Sequence, residues 1–448
     1  MSPAQTRQDS SAPAESGAMG RAVALHRAGR LDAAMALYRQ VLGRHPDHPQ
    51  ALGNLGVALR QTGRFTAALA CQRRVTALRP DDAGAWSNLG NVYRDLGRLD
   101  EARASLDRAL ALAPDKADIQ WDRALLTLLS GDLKAGFAAY EWRWTRPDSA
   151  RRPFAAAAWD GSDPTGRTVL VSHEQGLGDM IQFLRFVPLL KARGARVLLE
   201  CPPPLMRLFA GADGIDLRVP SGHEPADADL EVPMMSLPWR LGLGPGDLPP
   251  APYLRVPEPG PHQAHGAPHL PPVAPGGCRV GLVWAGKPSH RNDRNRSCPL
   301  ATLAPLAAVP GVHLVSLQKG PAAADLPALG LDALVPDLAP GLEDMADTAR
   351  LLAALDLVVT VDTSVAHLAG ALGLPAWVML PYAPDWRWQL GRDDSPWYPS
   401  LRLFRQDRPG DWAGVVDRVA AALSALSQAP AQAPAADARS RPPVDAAS

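Results

Sequence analysis

The chain has 448 residues, a length that predicts about three domains of ordinary size. Its 46 Lys and Arg residues equal its 46 Asp and Glu residues, so no overall charge attracts nucleic acid or a membrane surface, and any anion site has to be local. The four cysteines lie far apart, which argues against a disulfide framework or a zinc site and indicates a reducing compartment. No apolar run approaches the roughly 18 residues of a membrane span, and the first residues lack the apolar core of a signal peptide. We therefore expect a soluble, cytoplasmic protein.

The two ends of the chain are rich in Ala, Pro, Ser and Gln. Residues 1–18 and 429–448 contain few large apolar side chains, so they cannot bury enough surface to offset the entropy lost on ordering. We expect both segments to be disordered tails.

Residues 19–150 contain an internal repeat with a period of 34 residues. The period is marked by Gly29, Gly63, Gly97 and Gly131 and by Pro46, Pro80 and Pro114. Two amphipathic halves joined at a glycine and ended by a proline resemble the tetratricopeptide repeat. About four such units would stack into a concave groove that binds a peptide or another protein. Asn54, Asn88 and Asn91 either line this groove or form solvated surface.

The fourth unit ends in an aromatic segment, Tyr140-Glu141-Trp142-Arg143-Trp144, which the earlier units lack. The last unit of a repeat stack has an outer face unlike the others, because no further repeat covers it. We predict that this segment docks the array onto the next domain, with Trp159 in the same interface.

Residues 165–256 alternate between strand-like and helix-like segments, as a parallel sheet with crossover helices requires. The first strand, Thr168 to Ser172, runs into a loop that ends with Gly178 and Asp179 before a helix. Ligands of open α/β sheets bind beyond the carboxyl ends of strands. Asp179 is therefore a candidate general base, held ionised and oriented at a helix N-terminus, and a simple helix cap is the alternative.

A proline- and histidine-rich segment, residues 257–275, predicts a linker, and strand–helix alternation resumes over residues 276–428. The first strand of this second half leads into the densest basic cluster of the chain. The cluster consists of Lys287, Arg291, Arg294 and Arg296. Guanidinium groups match phosphate oxygens, so this loop is a candidate phosphate site, and a solvated charged surface is the alternative. The sequence leaves open which basic residue would hold the phosphate.

The stretch from Val358 to Leu374 predicts a buried strand, a tight turn and a helix. The turn consists of Asp362, Thr363 and Ser364, residue types that favour a helix start. Such a turn directs backbone N–H groups and the positive end of the helix dipole at one point, which suits a phosphate. His367 lies one turn further and can reach the same point. The alternative is that the three turn residues only cap a helix.

Two aromatic-rich segments follow the next predicted strand, Ala376 to Leu380. Trp386 lies in the first segment and Trp397 in the second. Indole rings at the carboxyl edge of a sheet could stack on a base or a sugar, or they could wall the cleft. Both interpretations stay open at this stage.

Three of these segments together resemble glycosyltransferase family 9, the heptosyltransferase-like enzymes of GT-B fold. The strand and helix around Gly178-Asp179 resemble the acceptor-side loop of that family, Val361 to Ala369 its donor motif, and Val283 to Gly286 with the basic loop its donor-phosphate loop. The order of domains resembles O-linked N-acetylglucosamine transferases, whose repeats present a polypeptide acceptor. The expected fold class is thus α plus α/β, a tetratricopeptide array followed by a GT-B-like pair of Rossmann-type parallel-sheet halves.

The resemblance implies a glycosyltransferase, of hexosyl or heptosyl type, that uses a nucleotide-sugar and needs neither a metal nor another cofactor. Asp179 would deprotonate an acceptor hydroxyl, and displacement at the anomeric carbon would invert its configuration. The residues implied at the donor are Gly178, Lys287, Arg291, Arg294, Asp362, Thr363, Ser364 and His367. The repeat array would bind a protein acceptor or partner. The alternative is a non-catalytic repeat scaffold whose GT-B-like domain only binds a nucleotide or sugar.

Overall fold

The computed structural model describes residues 12–146, 151–223, 225, 227–258 and 270–428. The tails expected at residues 1–11 and 429–448, and most of the expected linker, at residues 259–269, lie outside the described residues. The first helix already begins at Ala12. The expectation of a disordered segment up to residue 18 is therefore wrong for residues 12–18.

The repeat array is a stack of helix–turn–helix pairs. Its helices are α1 (Ala12–Arg27), α2 (Leu31–Arg44), α3 (Pro49–Gln61), α4 (Phe65–Leu78), α5 (Ala83–Asp95), α6 (Leu99–Leu112), α7 (Ala117–Leu129) and α8 (Leu133–Tyr140). The four marker glycines join the helices of each pair with φ angles of 72°, 74°, 72° and 90°, a region that glycine enters without strain. The 34-residue period therefore follows from a backbone requirement that recurs in every unit.

Asn91 joins neighbouring repeats and does not line a free groove. Its Nδ2 donates to Asp122 Oδ2 of α7 at 2.5 Å, and Ser87 Oγ donates to the same oxygen at 2.8 Å. Asn54 and Asn88 are half-buried. The groove-lining interpretation is thus wrong for Asn91.

The first α/β half contains a five-stranded parallel sheet with the strand order β1-β5-β2-β3-β4. Its strands are β1 (Ala157–Ala158), β2 (Thr168–Ser172), β3 (Arg196–Cys201), β4 (Leu217–Pro220) and β5 (Leu230–Pro233). Its helices are α9 (Leu177–Phe183), α10 (Val187–Ala192) and α11 (Leu237–Arg240). The segment after β3 forms two 3-10 turns, Pro203–Leu205 and Leu208–Gly211.

The second half contains another five-stranded parallel sheet, with the order β10-β9-β8-β6-β7. Its strands are β6 (Cys278–Val283), β7 (Val312–Ser316), β8 (Leu357–Val361), β9 (Ala376–Leu380) and β10 (Leu401–Arg405). Its helices are α12 (Asp293–Arg296), α13 (Leu300–Leu303), α14 (Asp325–Ala328), α15 (Met345–Ala353), α16 (Ser364–Ala371) and α17 (Trp412–Gln428).

Each sheet has one point at which the strand order reverses, and such switch points are where ligands bind in open α/β sheets. In the first sheet this point lies between β2 and β5, at the loop that leads to Asp179. In the second sheet it lies between β6 and β8, where the basic loop faces Asp362. The expected fold class, a repeat array followed by a GT-B-like pair of Rossmann-type halves, is confirmed.

The fourth repeat packs against both halves at once. The ring of Phe137 in α8 meets Phe183 of the first half and Trp386 of the second half edge-on, with 5.8 Å between centroids in both pairs. Trp159 is 1% exposed and belongs to the same core. The docking role predicted for the end of the array is confirmed.

Polar contacts tie the same repeat to the loop before Asp179. Arg143 is 3% exposed and donates two hydrogen bonds to Glu174, at 2.7 and 3.0 Å. Gln175 Nε2 donates to the hydroxyl of Tyr140 at 2.9 Å. Gln175 has a φ angle of 65°, which is unusual for a residue with a side chain. The array thereby holds this loop in a conformation that the loop would not favour by itself.

The turns of the second, third and fourth repeats run along the second half. A Cβ atom at Gly63 would lie 3.8 Å from Asn295 Oδ1, and one at Gly97 would lie 3.7 Å from Leu390 Cδ1. A Cβ atom at Gly131 would lie 3.3 Å from Gln389 Nε2. One edge of the array therefore follows the carboxyl edge of the second sheet.

The substitution Gly370→Ala is expected to destabilise the second half by about 1–3 kcal/mol, because a methyl group there overpacks the core. The added Cβ would lie 2.3 Å from Cγ of Tyr398, which is fully buried. Urea unfolding measures the change. Gly20→Ala in α1 is the control, since its Cβ would meet no atom within 4 Å, and we expect it to be neutral or slightly stabilising. Equal midpoints for the two variants would contradict the tight packing at Gly370.

Candidate functional site

Asp179 lies in the first turn of α9 and contacts both halves of the α/β region. Its Oδ2 accepts a hydrogen bond from the N–H of Gly176 at 2.9 Å, so the residue does cap its helix. Its Oδ1 accepts from Arg387 Nη2 of the second half at 2.5 Å. The side chain remains 20% exposed. Because a carboxylate oxygen can accept two hydrogen bonds, each oxygen keeps a lone pair for a further donor.

Arg387 is a buried cation that several groups share. Its Nε donates to Gln182 Oε1 at 2.7 Å, its Nη1 donates to Asp385 Oδ1 at 2.8 Å, and the guanidinium lies 4.3 Å from the centroid of the Trp386 ring. Burial disfavours the charged form, but Asp385 and then Asp179 outweigh burial and hold the pKa of Arg387 above its ordinary value. The arginine therefore stays charged and links the carboxylate of α9 to the second half.

The first turns of α9 and α16 meet at Gly178. A Cβ at this position would lie 2.8 Å from Cδ2 of His367 and 3.5 Å from Cα of Ser364, so the close approach requires glycine. Thr363 caps α16, because its Oγ1 accepts from the N–H of Val365 at 3.3 Å. The structure thus brings the predicted turn of the second half next to Asp179 of the first.

His367 is a packing residue in this interface. Its Nδ1 lies 3.0 Å from the hydroxyl of Tyr398, and its ring stacks on Trp388 with 5.4 Å between centroids. Burial, and then the positive charge of Arg387, lowers the pKa of His367 to about 3. The imidazole is therefore neutral near pH 7. A neutral imidazole adds no positive charge to the phosphate site predicted at this turn, and contact of His367 with a phosphate stays a prediction.

Arg296 is the residue of the basic loop that spans the second switch point. Its Nη1 donates to the backbone carbonyl of Asp362 at 3.1 Å, and its Nε pairs with Asp293 at 3.2 Å. A Cβ at Gly286 would lie 2.3 Å from Arg296 Nη2, so the glycine after β6 leaves room for the guanidinium. Burial and then Asp385 raise the pKa of the Asp362 carboxyl, and the positive charge of Arg296 opposes this shift.

The other predicted cations of the loop, Lys287, Arg291 and Arg294, are exposed. His290 in the same loop lies close to the cluster. Burial and then Arg296 lower the pKa of His290, whereas the carboxylates of Asp385 and Asp179 oppose this shift. Of the four predicted cations, Arg296 is the one that contacts the turn after β8, through the carbonyl of Asp362.

Trp386 and Trp397 are buried inside the interface between the two halves. They are 4% and 1% exposed, and their ring centroids lie 6.0 Å apart. Trp397 also packs against Phe183, with 6.5 Å between centroids. Of the two interpretations left open by the sequence, stacking on a base or sugar is wrong, because neither ring has a free face.

Sequence reasoning missed Gln182, Asp385 and Arg387 as parts of this cluster. Asp385 and Arg387 stand in the aromatic segment just beyond β9, whose tryptophans are the more conspicuous signal. An Asp-x-Arg pair after the carboxyl end of a strand was the available signal, since charged residues at that edge point to a binding site. Gln182 carried no such signal, because it lies in the middle of a helical pattern.

The described part of the chain has no group of three or more His, Cys, Asp or Glu side chains arranged to hold a metal ion. None of its helices combines the length and the apolarity needed to cross a bilayer. The positive charge next to Asp179 comes from Arg387, and that next to Asp362 comes from Arg296 and the N-terminus of α16.

Comparison with known sequences identifies the array. Residues 11–49, 19–83 and 62–127 match models of the tetratricopeptide repeat, which confirms the predicted repeat type. Protein FlbA of Caulobacter vibrioides is 29% identical over 331 residues, which cover 68% of this chain and 55% of that protein. The chain therefore spans about half the length of this curated relative.

Solved structures share parts of the architecture. A mutant of Thermobaculum terrenum O-GlcNAc transferase aligns over 94% of this chain and 93% of its own, with 16% identity and a TM-score of 0.38. A thermophilic tetratricopeptide protein of Thermus thermophilus covers 30% of this chain and 75% of its own, with 26% identity and a TM-score of 0.28. MamA of Desulfovibrio magneticus covers 30% and 78%, with 21% identity and a TM-score of 0.28. Scores this low carry no argument about function, which has to come from the site itself.

Proposed function

We propose that this protein is a glycosyltransferase that moves a sugar from a nucleotide-activated donor to an acceptor hydroxyl, with inversion and without a metal. The observation that supports the proposal is that the switch points of the two sheets lie next to each other. Asp179 from the first switch point contacts Arg387, and its neighbour Gly178 packs against Ser364 at the N-terminus of α16, beside the second switch point. A carboxylate and preorganised positive groups face each other there, which is what direct displacement of a diphosphate requires.

In the proposed reaction, Asp179 accepts the proton of the acceptor hydroxyl on one of its remaining lone pairs. The hydroxyl oxygen then forms a bond to the anomeric carbon, and the bond from that carbon to the diphosphate oxygen breaks. The leaving diphosphate takes up the electron pair, and its charge is met by Arg296 and by the backbone N–H groups at Thr363 and Ser364. Attack from the side opposite the leaving group inverts the anomeric carbon. Arg387 keeps Asp179 oriented throughout.

The repeat array has the role of binding a protein acceptor or partner in this proposal. Its fourth unit holds the loop before Asp179 through Arg143 and Tyr140. A polypeptide bound by the array would therefore lie on a scaffold that is rigidly joined to the site. Stacked repeats of this type offer extended surfaces to peptides.

The donor site is tested by thermal unfolding with ADP, GDP, UDP, CMP and dTDP and with sugars activated by each. A ligand at about 100 times its dissociation constant stabilises the domain that binds it by roughly 2.7 kcal/mol. We expect a shift with one nucleotide class that is lost in Arg296→Met and kept in Arg103→Met, an exposed arginine of α6. Substitution of Lys287, Arg291 and Arg294 then shows whether the exposed cations add to affinity. No shift with any ligand would refute the donor site.

A second assay on the same protein samples distinguishes a glycosyltransferase from a scaffold that binds the donor without using it. Incubation with the stabilising donor and a hydroxyl acceptor, followed by mass spectrometry, reports transfer. A donor that binds and is never consumed would favour the non-catalytic scaffold.

A further inference from the structure

A groove with a volume of about 600 Å³ lies between the second repeat and the second α/β half. One wall consists of residues 63–67 with Leu96, and the other consists of Tyr382 with residues 407–409. The groove is open to solvent, unlike the buried packing around Arg387. Nothing in the proposed chemistry at Asp179 uses it.

The groove lies next to the candidate site. Tyr382 follows β9 in the same loop as Asp385, which binds Arg387. On the other flank, Asn295 Nδ2 donates to the carbonyl of Gln61 at 3.4 Å, and Asn295 precedes Arg296. At the fourth repeat the array is packed tightly against both halves, whereas at the second repeat it leaves this opening. The groove is therefore an approach to the carboxyl edge of the second sheet from the side of the array.

The floor of the groove is apolar and aromatic. Phe65 of α4 and Tyr382 lie with 6.1 Å between ring centroids and an interplanar angle of 30°, and Leu96 lines the same space. An open groove lined in this way fits an extended polypeptide, because sites for small molecules bury most of the ligand surface. The shape thus favours a peptide chain as the occupant.

The rim of the groove is positively charged. Arg64 and Arg408 are exposed, and the carboxylate of Asp32 lies 3.8 Å from Arg64. The acidic residue of the lining, Asp407, pairs with Arg418 at 2.6 Å, so its charge is compensated. Guanidinium groups at a rim attract carboxylates and discriminate against basic segments. Three arginines, Arg64, Arg408 and Arg418, thus stand against two carboxylates, Asp32 and Asp407, which leaves an excess of positive charge at the rim.

We propose that this groove binds an acidic segment of a polypeptide, with carboxylates opposite Arg64 and Arg408. The further statement that this segment neighbours the hydroxyl presented to Asp179 rests on the proposed function. The binding itself does not require sugar transfer, so the two can fail separately.

The test uses three labelled twelve-residue peptides that share a central Ser-Thr pair and carry four Glu, four Gln or four Lys residues. Fluorescence anisotropy with the full-length chain measures each dissociation constant. We expect the acidic peptide to bind about tenfold more tightly than the amide peptide, and added salt to reduce this preference. The double variant Arg64→Gln/Arg408→Gln is expected to lose the preference. Arg30→Gln is the matched control, since Arg30 holds the position of Arg64 in the first repeat.

Equal affinity for the three peptides, or a preference that survives in the double variant, would overturn the proposal. Displacement of the acidic peptide by the nucleoside diphosphate that stabilises the protein would also overturn it, because the groove would then hold nucleotide. If the acidic preference depends on the two arginines while no donor is ever consumed, the groove stands and the glycosyltransferase proposal fails. Both substituted residues are exposed, so loss of folding does not confuse the result.

Discussion

Replacing Asp179 with Asn is expected to lower the rate of sugar transfer by about 100- to 10,000-fold, the contribution that a positioned general base makes. Asn keeps the size of the side chain and an oxygen that can face Arg387, but it cannot take up a proton at neutral pH. Binding of the nucleotide should change little, because the groups proposed to meet the diphosphate, Arg296, Thr363 and Ser364, belong to the second half. Turnover is measured with the donor identified by thermal unfolding, and nucleotide affinity by calorimetry.

Asp213→Asn provides the comparison for this experiment. Asp213 is an exposed carboxylate of the same half, so its amide variant should transfer sugar at the wild-type rate. Normal turnover in Asp179→Asn would remove this residue from the mechanism. Equal losses of turnover and of nucleotide binding would instead indicate a disturbed interface between the halves.

The substitution Arg387→Met is expected to destabilise the protein by about 3–5 kcal/mol, because it breaks a buried ion pair and leaves charges uncompensated. The side chain of Arg387 is 8% exposed and is shared by Asp179, Asp385 and Gln182. Urea unfolding at neutral pH measures the loss. Sugar transfer should also fall, since Asp179 loses the group that orients it.

Arg392→Met is the control from the same region. Arg392 pairs with Asp394, whose side chain is 67% exposed, and surface pairs of this kind contribute less than about 1 kcal/mol. A loss of stability in Arg387→Met no larger than in Arg392→Met would show that Asp179 and Asp385 do not depend on the buried arginine. Adding Asp385→Asn to Arg387→Met should recover part of the stability, because one uncompensated charge is removed.

The parts of the molecule that the sequence revealed are those set by local patterns. The glycines at 34-residue intervals take positive φ angles in every repeat, so one backbone requirement was visible four times. The turn at Asp362 to Ser364 was readable because a buried strand, a cap and a helix follow one another directly. β1, β5 and β10 were not foreseen, since β1 has only 2 residues and both β5 (LEVP) and β10 (LRLFR) are interrupted by charged residues.

The sequence did not predict which charged side chains pair with each other, because the pairs form between segments that are distant in the chain. Arg387 and Asp179 are 208 positions apart, and nothing near either residue specifies the other. The same limit applies to His367 and Trp386, which both pack inside the interface between the halves. Residues of these types near a sheet edge suit a ligand as well as an interface, and only their burial distinguishes the two.

The contact of Phe137 with both halves has a mechanical consequence. Besides the pair of Arg387 with Asp179 and the packing at Gly178, the ring of Phe137 joins the two halves, because it lies between Phe183 and Trp386. Rotation of one half against the other would therefore separate this ring from Phe183 or from Trp386. The repeat stack is held at its fourth unit, so we expect its stiffness to add to the resistance against opening of the cleft between the two halves. A force on the first repeats, such as a bound partner exerts, would act through the fourth repeat on the angle between the two halves.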